Sequence, residues 1–201
     1  MKLGFVGPAR GDLSKLRASC ERLLFEFRVD RVYHLGSDDS LDRAMRGWAE
    51  HLGAPRDDEA LLDEVAALAP DAPAEVLDAL LEREGRRARL SDVCDVTSPR
   101  GCYHEMIEDR VVLIANDRAA VDDDDKANAL VLVHGASTRP ELRIASGRAV
   151  LSPGDLTRGG HSAIVERAEN ALLISLIDAR GKAVREGSVS LSRAAHMAVL
   201  P

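Results

Sequence analysis

Aromatic residues make up only 3% of this chain, cysteines number three, and no apolar run approaches the ~18 residues that a membrane helix requires. A basic surplus is missing too, since 27 lysines and arginines face 34 aspartates and glutamates for a net charge of −7. With nothing to displace counterions from a phosphate backbone, a nucleic-acid partner is not expected. Cys20, Cys94 and Cys102 are odd in number and lack CxxC spacing, so neither a disulfide framework nor a zinc cage is indicated, and a reducing cytoplasm fits. The opening Met1 to Gly7 is too quickly broken by glycine to read as a signal peptide, so the expectation is a soluble, cytoplasmic, unprocessed protein. What is present is 45% hydrophobic residues over 201 positions, enough for one domain with a sizeable core.

The order of elements gives the fold class. Residues 2–6 form a short apolar run bounded by glycine, followed by Leu13, Leu16, Cys20, Leu23, Leu24 and Phe27 at helical spacing behind Asp12, a candidate N-cap. Val29 to Leu35 reads as a second strand, which makes a βαβ unit with neighbouring parallel strands. Residues 41–85 turn helical, with Leu41, Met45, Trp48 and Leu52 on one face and Pro55, Pro70 and Pro73 as breaks. Residues 86–108 are weakly periodic, with a turn at Ser98-Pro99-Arg100-Gly101. Val111 to Ile114, Ala129 to Val133, and five further segments at 142–145, 148–151, 162–167, 172–177 and 183–191 read as strands, the last two joined by a hairpin at Asp178-Ala179-Arg180-Gly181. Parallel α/β units followed by an antiparallel tail predict an α/β fold of four layers, two sheets stacked face to face with helices outside.

Several strings within this layout resemble the calcineurin-like metallophosphoesterases, in particular their small bacterial phosphodiesterase branch. The opening Phe5-Val6-Gly7-Pro8-Ala9-Arg10-Gly11-Asp12 is similar to that family's strand, D-x-H-G and helix. His34-Leu35-Gly36-Ser37 resembles its G-D, and Ala115-Asn116-Asp117-Arg118 its G-N-x-D. Gly135-Ala136-Ser137-Thr138-Arg139-Pro140, then Ser152-Pro153-Gly154-Asp155, resembles its G-H-x-H-x-P and N-P-G-S. The likeness covers roughly residues 1–40 and 110–191 and implies a metallophosphoesterase-like stack of two mixed sheets with a helical insertion at about 41–85.

The resemblance implies two metal ions held by aspartate, histidine and asparagine, which activate water and clamp phosphate oxygens. At the matching positions stand Pro8 and Arg10, neither able to ligate a cation, and Ser37, a weaker donor than carboxylate. The paired histidines fall on Ala136 and Thr138, leaving Asn116 as the lone matched ligand. The interval from Asn116 to Gly135 is also too short for the family's additional strand, helix and histidine-bearing loop. A rebuilt site would draw on neighbours of proper chemistry, Asp38, Asp39, Asn116, Asp117 and His134, with manganese or another divalent metal. Arg10 itself sits where a strand hands over to a helix N-terminus, a setting for anions such as a phosphorylated small molecule. The preferred reading pairs it with Asp38, Asp39 or Asp117.

Other candidates have plainer readings. Asp122–Asp125 lacks the glycine and glutamate of a calcium loop and reads as a solvated loop. His34, His51, His104, His134, His161 and His196 show no metal-ligand spacing. Cys102 beside His104 offers at most a thiol with a nearby base. Trp48, the sole tryptophan, reads as core, or as an interface anchor if exposed. The leading expectation is a non-catalytic metallophosphoesterase-fold protein, without a cofactor, acting as a scaffold for a protein partner through the helical insertion. The resemblance supplies a precedent in the retromer subunit of this fold, and the alternative is a divergent metal-dependent phosphoesterase. No membrane partner is expected, and homo-oligomerisation stays open.

Overall fold

The computed structural model of the chain describes residues 1–52, 58–68, 70, 72–96 and 101–192. Pro55 and the expected turn at Ser98-Pro99-Arg100 lie outside the described residues. The chain opens with β1 (Lys2–Val6), then α1 (Leu13–Glu21), whose N-cap Asp12 accepts the amide N–H of Lys15 at 3.1 Å. α1 runs on into one π-helical turn (Arg22–Glu26), where the amide of Phe27 donates to the carbonyl of Arg22 at 3.0 Å. There follow β2 (Arg31–His34), α2 (Ser40–His51), α3 (Asp58–Leu68), α4 (Ala74–Ala88), β3 (Val93–Asp95), β4 (Cys102–Ile107) and β5 (Arg110–Ala115). A six-residue α5 (Asp123–Asn128) crosses to β6 (Ala129–His134). Beyond β6 the described residues form β7 (Glu141–Ala145), β8 (Arg148–Ser152), a 3-10 turn (Leu156–Arg158), β9 (Ser162–Ala168), β10 (Ala171–Ile177) and β11 (Ala183–Ser190).

Two mixed sheets result, one ordered β11-β10-β9-β1-β2-β3 and the other β4-β5-β6-β8-β7. β1 and β2 run parallel, as do β5 and β6, each pair joined by a helical crossover. β8 also runs parallel to β6, because the chain passes out to β7 and returns through a hairpin. The sheets stack on a shared core that includes Leu3, Phe5 and Tyr33 from the first and Val112, Ile114, Val131, Val133 and Leu151 from the second. Each such side chain contributes about 1.5–3 kcal/mol by leaving water. A polar tie crosses the same interface, with the Tyr33 hydroxyl and Arg31 guanidinium of β2 both donating to the Glu105 carboxylate of β4.

The outer faces differ. The six-stranded sheet is covered by α1 and α2, which bury Leu16, Cys20, Leu41 and Trp48 against Val6, Val29, Val32 and Ile164. Trp48 is core, edge-on to Phe25 with ring centroids 6.3 Å apart, and the Arg17 guanidinium lies 5.7 Å from its centroid. Burial pushes the Cys20 thiol up to about 12, so it is an inert packing group. Over the other sheet, among the described residues, α5 and the segment leading into it cover a small cluster of Cys102, Leu113, Ala115, Val121, Ala129 and Leu132.

Three expectations change here. The 41–85 insertion is not one unit: α2 is part of the core, and only α3 and α4 are peripheral, with Leu62, Val76 and Leu81 exposed. The Asp122–Asp125 run is not a loop but opens α5, because Asp122 caps the amide of Asp125 at 2.7 Å and the acidic first turn complements the helix dipole. β3 and β4 occupy the interval that lacked periodicity, and both are edge strands.

Candidate functional site

The parallel strands place their carboxyl ends at one edge of the stack, where loops after β1, β2, β5 and β6 converge. Their residues line a cleft of about 360 Å³ formed by Pro8, Arg10, Leu35, Ser37, Asp38, Asn116, Asp117, Gly135 and Ala136. The two halves meet without slack. A Cβ on Gly135 would lie 2.2 Å from the carbonyl oxygen of Leu35, and one on Gly7 would lie 1.7 Å from that of Gly154, so both glycines are required by close backbone approach.

Arg10 and Gly11 both adopt positive φ, 46° and 85°, which turns the chain sharply between β1 and α1. This turn directs the Arg10 guanidinium at Asp155, to which its Nε donates. Asp155 is 1% exposed, and its other carboxylate oxygen accepts the amide and hydroxyl of Thr157 at 2.9 and 2.7 Å. Burial opposes ionisation of this carboxyl. The hydrogen bonds from Thr157 and Arg10 outweigh that cost and hold it below the usual carboxylate range.

The expected pairing of Arg10 with Asp38, Asp39 or Asp117 is therefore corrected to Asp155. The three expected acids are otherwise engaged. Asp38 accepts the amide of Ser40 at 3.2 Å, Asp39 lies 3.7 Å from Arg43, and Asp117 caps Ala119 at 2.8 Å. Asp38 and Asp117 satisfy free backbone amides at strand-to-helix junctions, and Asp39 has its counter-charge one helical turn away in Arg43, so none of the three needs a distant cation.

Of the other sequence-derived positions, Pro8, Ser37, Asn116 and Ala136 share the cleft, while Thr138 is exposed and receives the Asp155 amide on its carbonyl at 3.4 Å. Asn116 donates its Nδ2 to the carbonyl of Val96 at 2.9 Å, and its Oδ1 is buried without a partner. His134 does not line the cleft but an adjoining hollow, which shares Asp117 and Ala136 with it. It is 5% exposed, and burial, helped by nearby Arg118, lowers its pKa and favours the neutral ring against the opposing pull of Glu141 and Asp117. Cys102 is buried under α5, and His104 instead faces Asp125 at 3.3 Å.

A two-metal centre does not fit this donor set. Among the described residues no three His, Cys, Asp or Glu side chains gather as metal ligands, and the cleft holds a fixed guanidinium. The orphaned Asn116 Oδ1 is one donor and does not make a cage.

Sequence reasoning missed two features. Asp155 stood in the quoted Pro-Gly-Asp string, the signal that could have flagged it. Buried His34 places Nδ1 3.2 Å from Asp95 Oδ1, leaves Nε2 unpaired, and has its ring 2.4 Å from where a Cβ on Gly36 would stand. Only the parallel pairing of β3 beside β2 brings these two together.

Comparison with solved structures finds the same fold at low sequence identity. No family model matches the sequence, and no curated protein matches it. A Streptococcus pneumoniae TIGR4 protein described as a predicted phosphoesterase superposes with TM-score 0.51 at 12% identity, over 94% of this chain and 98% of that one. An archaeal phosphodiesterase does so with TM-score 0.50 at 15% identity, over 94% and 100%. Vacuolar Protein Sorting 29 from Cryptosporidium parvum gives TM-score 0.48 at 12% identity, over 94% and 97%. The chain has the α/β stack of the calcineurin-like metallophosphoesterase fold. No helix among the described residues is long and apolar enough to cross a membrane.

Proposed function

We propose that this chain is a non-catalytic metallophosphoesterase-fold protein that serves as a docking scaffold for a protein partner. The observation that carries this reading is the bond from Arg10 to buried Asp155, which fixes a cation of the protein's own in the cleft. A guanidinium repels a divalent ion and neither activates water nor accepts its proton. The docking surface is α3 and α4, where Leu62 is 67% and Leu81 66% exposed. Arg83 bridges to Glu64 at 3.1 Å, which joins the two helices.

Calorimetric titration of chelator-treated protein with manganese tests the first half. The expected result is no stoichiometric binding and no turnover of a phosphodiester. Tight binding with turnover that vanishes in Asn116→Ala overturns it in favour of a divergent phosphoesterase, the second reading, which the unpaired Asn116 Oδ1 supports. For the docking half, replacing α3 and α4 by a short linker is expected to keep the sheets folded and to eliminate a larger complex on gel filtration of native extract. An unchanged complex overturns it.

A further inference from the structure

On the far side of the stack from α1 and α2, the outer face of the five-stranded sheet carries a hollow of about 320 Å³. Strand register builds its floor. Leu132 of β6 pairs with Val150 of β8, and Val150 pairs with Arg143 of β7, so the three stand in a row. Alternation puts Arg148 on the same face two residues before Val150, paired with Ala145 at the sheet edge. From the opposite side come Arg118 and Lys126, on the short crossover between β5 and β6. An apolar strip is thus flanked by cations on both sides.

The charges are what make this face unusual. In a chain of net charge −7, Arg118, Arg143 and Arg148 are exposed and have no acidic partner among the described residues, and Lys126 is held only by exposed Asp123 at 3.1 Å. Elsewhere some arginines are tied down, as in Arg87 to Glu84 at 2.6 Å and Arg89 to Asp92 at 2.8 Å. Others, such as Arg28, Arg46 and Arg185, are exposed without an acidic partner among the described residues, so what marks this face is that three such arginines line one hollow. Unpaired guanidiniums around one hollow repel one another, and an anionic occupant relieves that repulsion. The cover is also missing. The β5 to β6 crossover is pared to six helical residues over Ala129 and Leu132, which leaves β8 and β7 bare.

We infer that this face binds an acidic segment of a partner protein, seating one apolar side chain on Leu132 and Val150 while flanking carboxylates engage Arg118, Arg143 and Arg148. The strip spans three strands, about 10 Å, which suits a side chain and its neighbours in an extended chain. The chain's net negative charge sets it against an anionic bilayer. This goes beyond the docking reading, since it adds a surface on the other sheet.

The test is fluorescence anisotropy of the full chain with a labelled peptide alternating glutamate and leucine. Binding is expected to weaken by about tenfold or more in Arg143→Glu/Arg148→Glu, with rising salt, and when glutamine replaces glutamate in the peptide. Arg148→Gln, at an exposed position, gives a milder loss in a variant whose fold is not in question. Leu62→Glu/Leu81→Glu leaves the affinity unchanged, so failure of the α3 and α4 surface is read separately. The inference is overturned if no peptide binds, if the glutamine peptide binds equally, or if the double variant binds undiminished. It is also overturned, in favour of a second copy or a membrane, if the double variant abolishes self-association or retention on anionic vesicles shown by the wild type.

Discussion

The two outer faces of the stack have opposite histories of cover. Over the six-stranded sheet, α1, the π-helical turn that extends it and α2 bury a tryptophan, four leucines and a cysteine, and the surrounding arginines are mostly paired. Over the five-stranded sheet, a six-residue helix covers one end, and the remaining strands present arginines to water. A crossover connection has to reach across its sheet, but it does not have to clothe it. Length placed between β2 and β3 built a thick helical layer, whereas brevity between β5 and β6 exposed strand surface.

Breaking the covered side has the largest expected effect. Trp48→Ala removes a side chain 2% exposed and its contacts with Phe25 and Arg17, and about 3–5 kcal/mol is lost in urea unfolding. Deleting α2 along with α3 and α4 fails for the same reason, while deleting only the latter two is tolerated. At the seam between the sheets, Gly135→Ala forces Leu35 and β6 apart, with about 1–3 kcal/mol lost and a lower Tm.

The cleft sharpens the comparison through pH. Asp155 has a folded pKa below its unfolded value of about 3.9, so its contribution is complete above that pH and is lost as pH falls through the folded pKa. Asp155→Ala therefore costs about 1–2 kcal/mol at neutral pH through the lost cap, and the variant has a shallower acid decline below about pH 4. His134 also has a lowered folded pKa, which places its effect higher. Stability falls as pH drops below about 6.5, and His134→Leu removes that segment of the profile. The smallest effect belongs to the bare face, where Arg143→Glu changes unfolding free energy by less than about 0.5 kcal/mol because the residue is exposed and unpaired.

How much of this was legible in the sequence depended on whether a signal was local. The β-branched run of β5, the apolar stripe of α2 and the turn at Asp178 are periodic or turn-specific, and each forms where expected. β3 and β4 were illegible because edge strands need no alternation. Cys102, Tyr103, His104, Glu105, Met106 and Ile107 show none, and β3 has three residues. In the site, the frame was legible as a resemblance, and the cleft does gather Pro8, Arg10, Ser37, Asn116 and Ala136. The partner of Arg10 was not, since Asp155 reaches it only through the loop contact of Gly154 against Gly7. The His34 and Asp95 pair was hidden for a related reason, because it depends on closing the chain across α2, α3 and α4.

One consequence concerns the order in which the chain emerges from the ribosome. β1 sits inside its sheet, with Leu3 opposite Arg31 on one side and opposite Val165 on the other. β1 thus waits for β9, made well over a hundred residues later, before both of its edges are filled. During synthesis that open edge is available to chaperones or to neighbouring nascent chains, and amino-terminal fragments ending before β9 leave it open permanently.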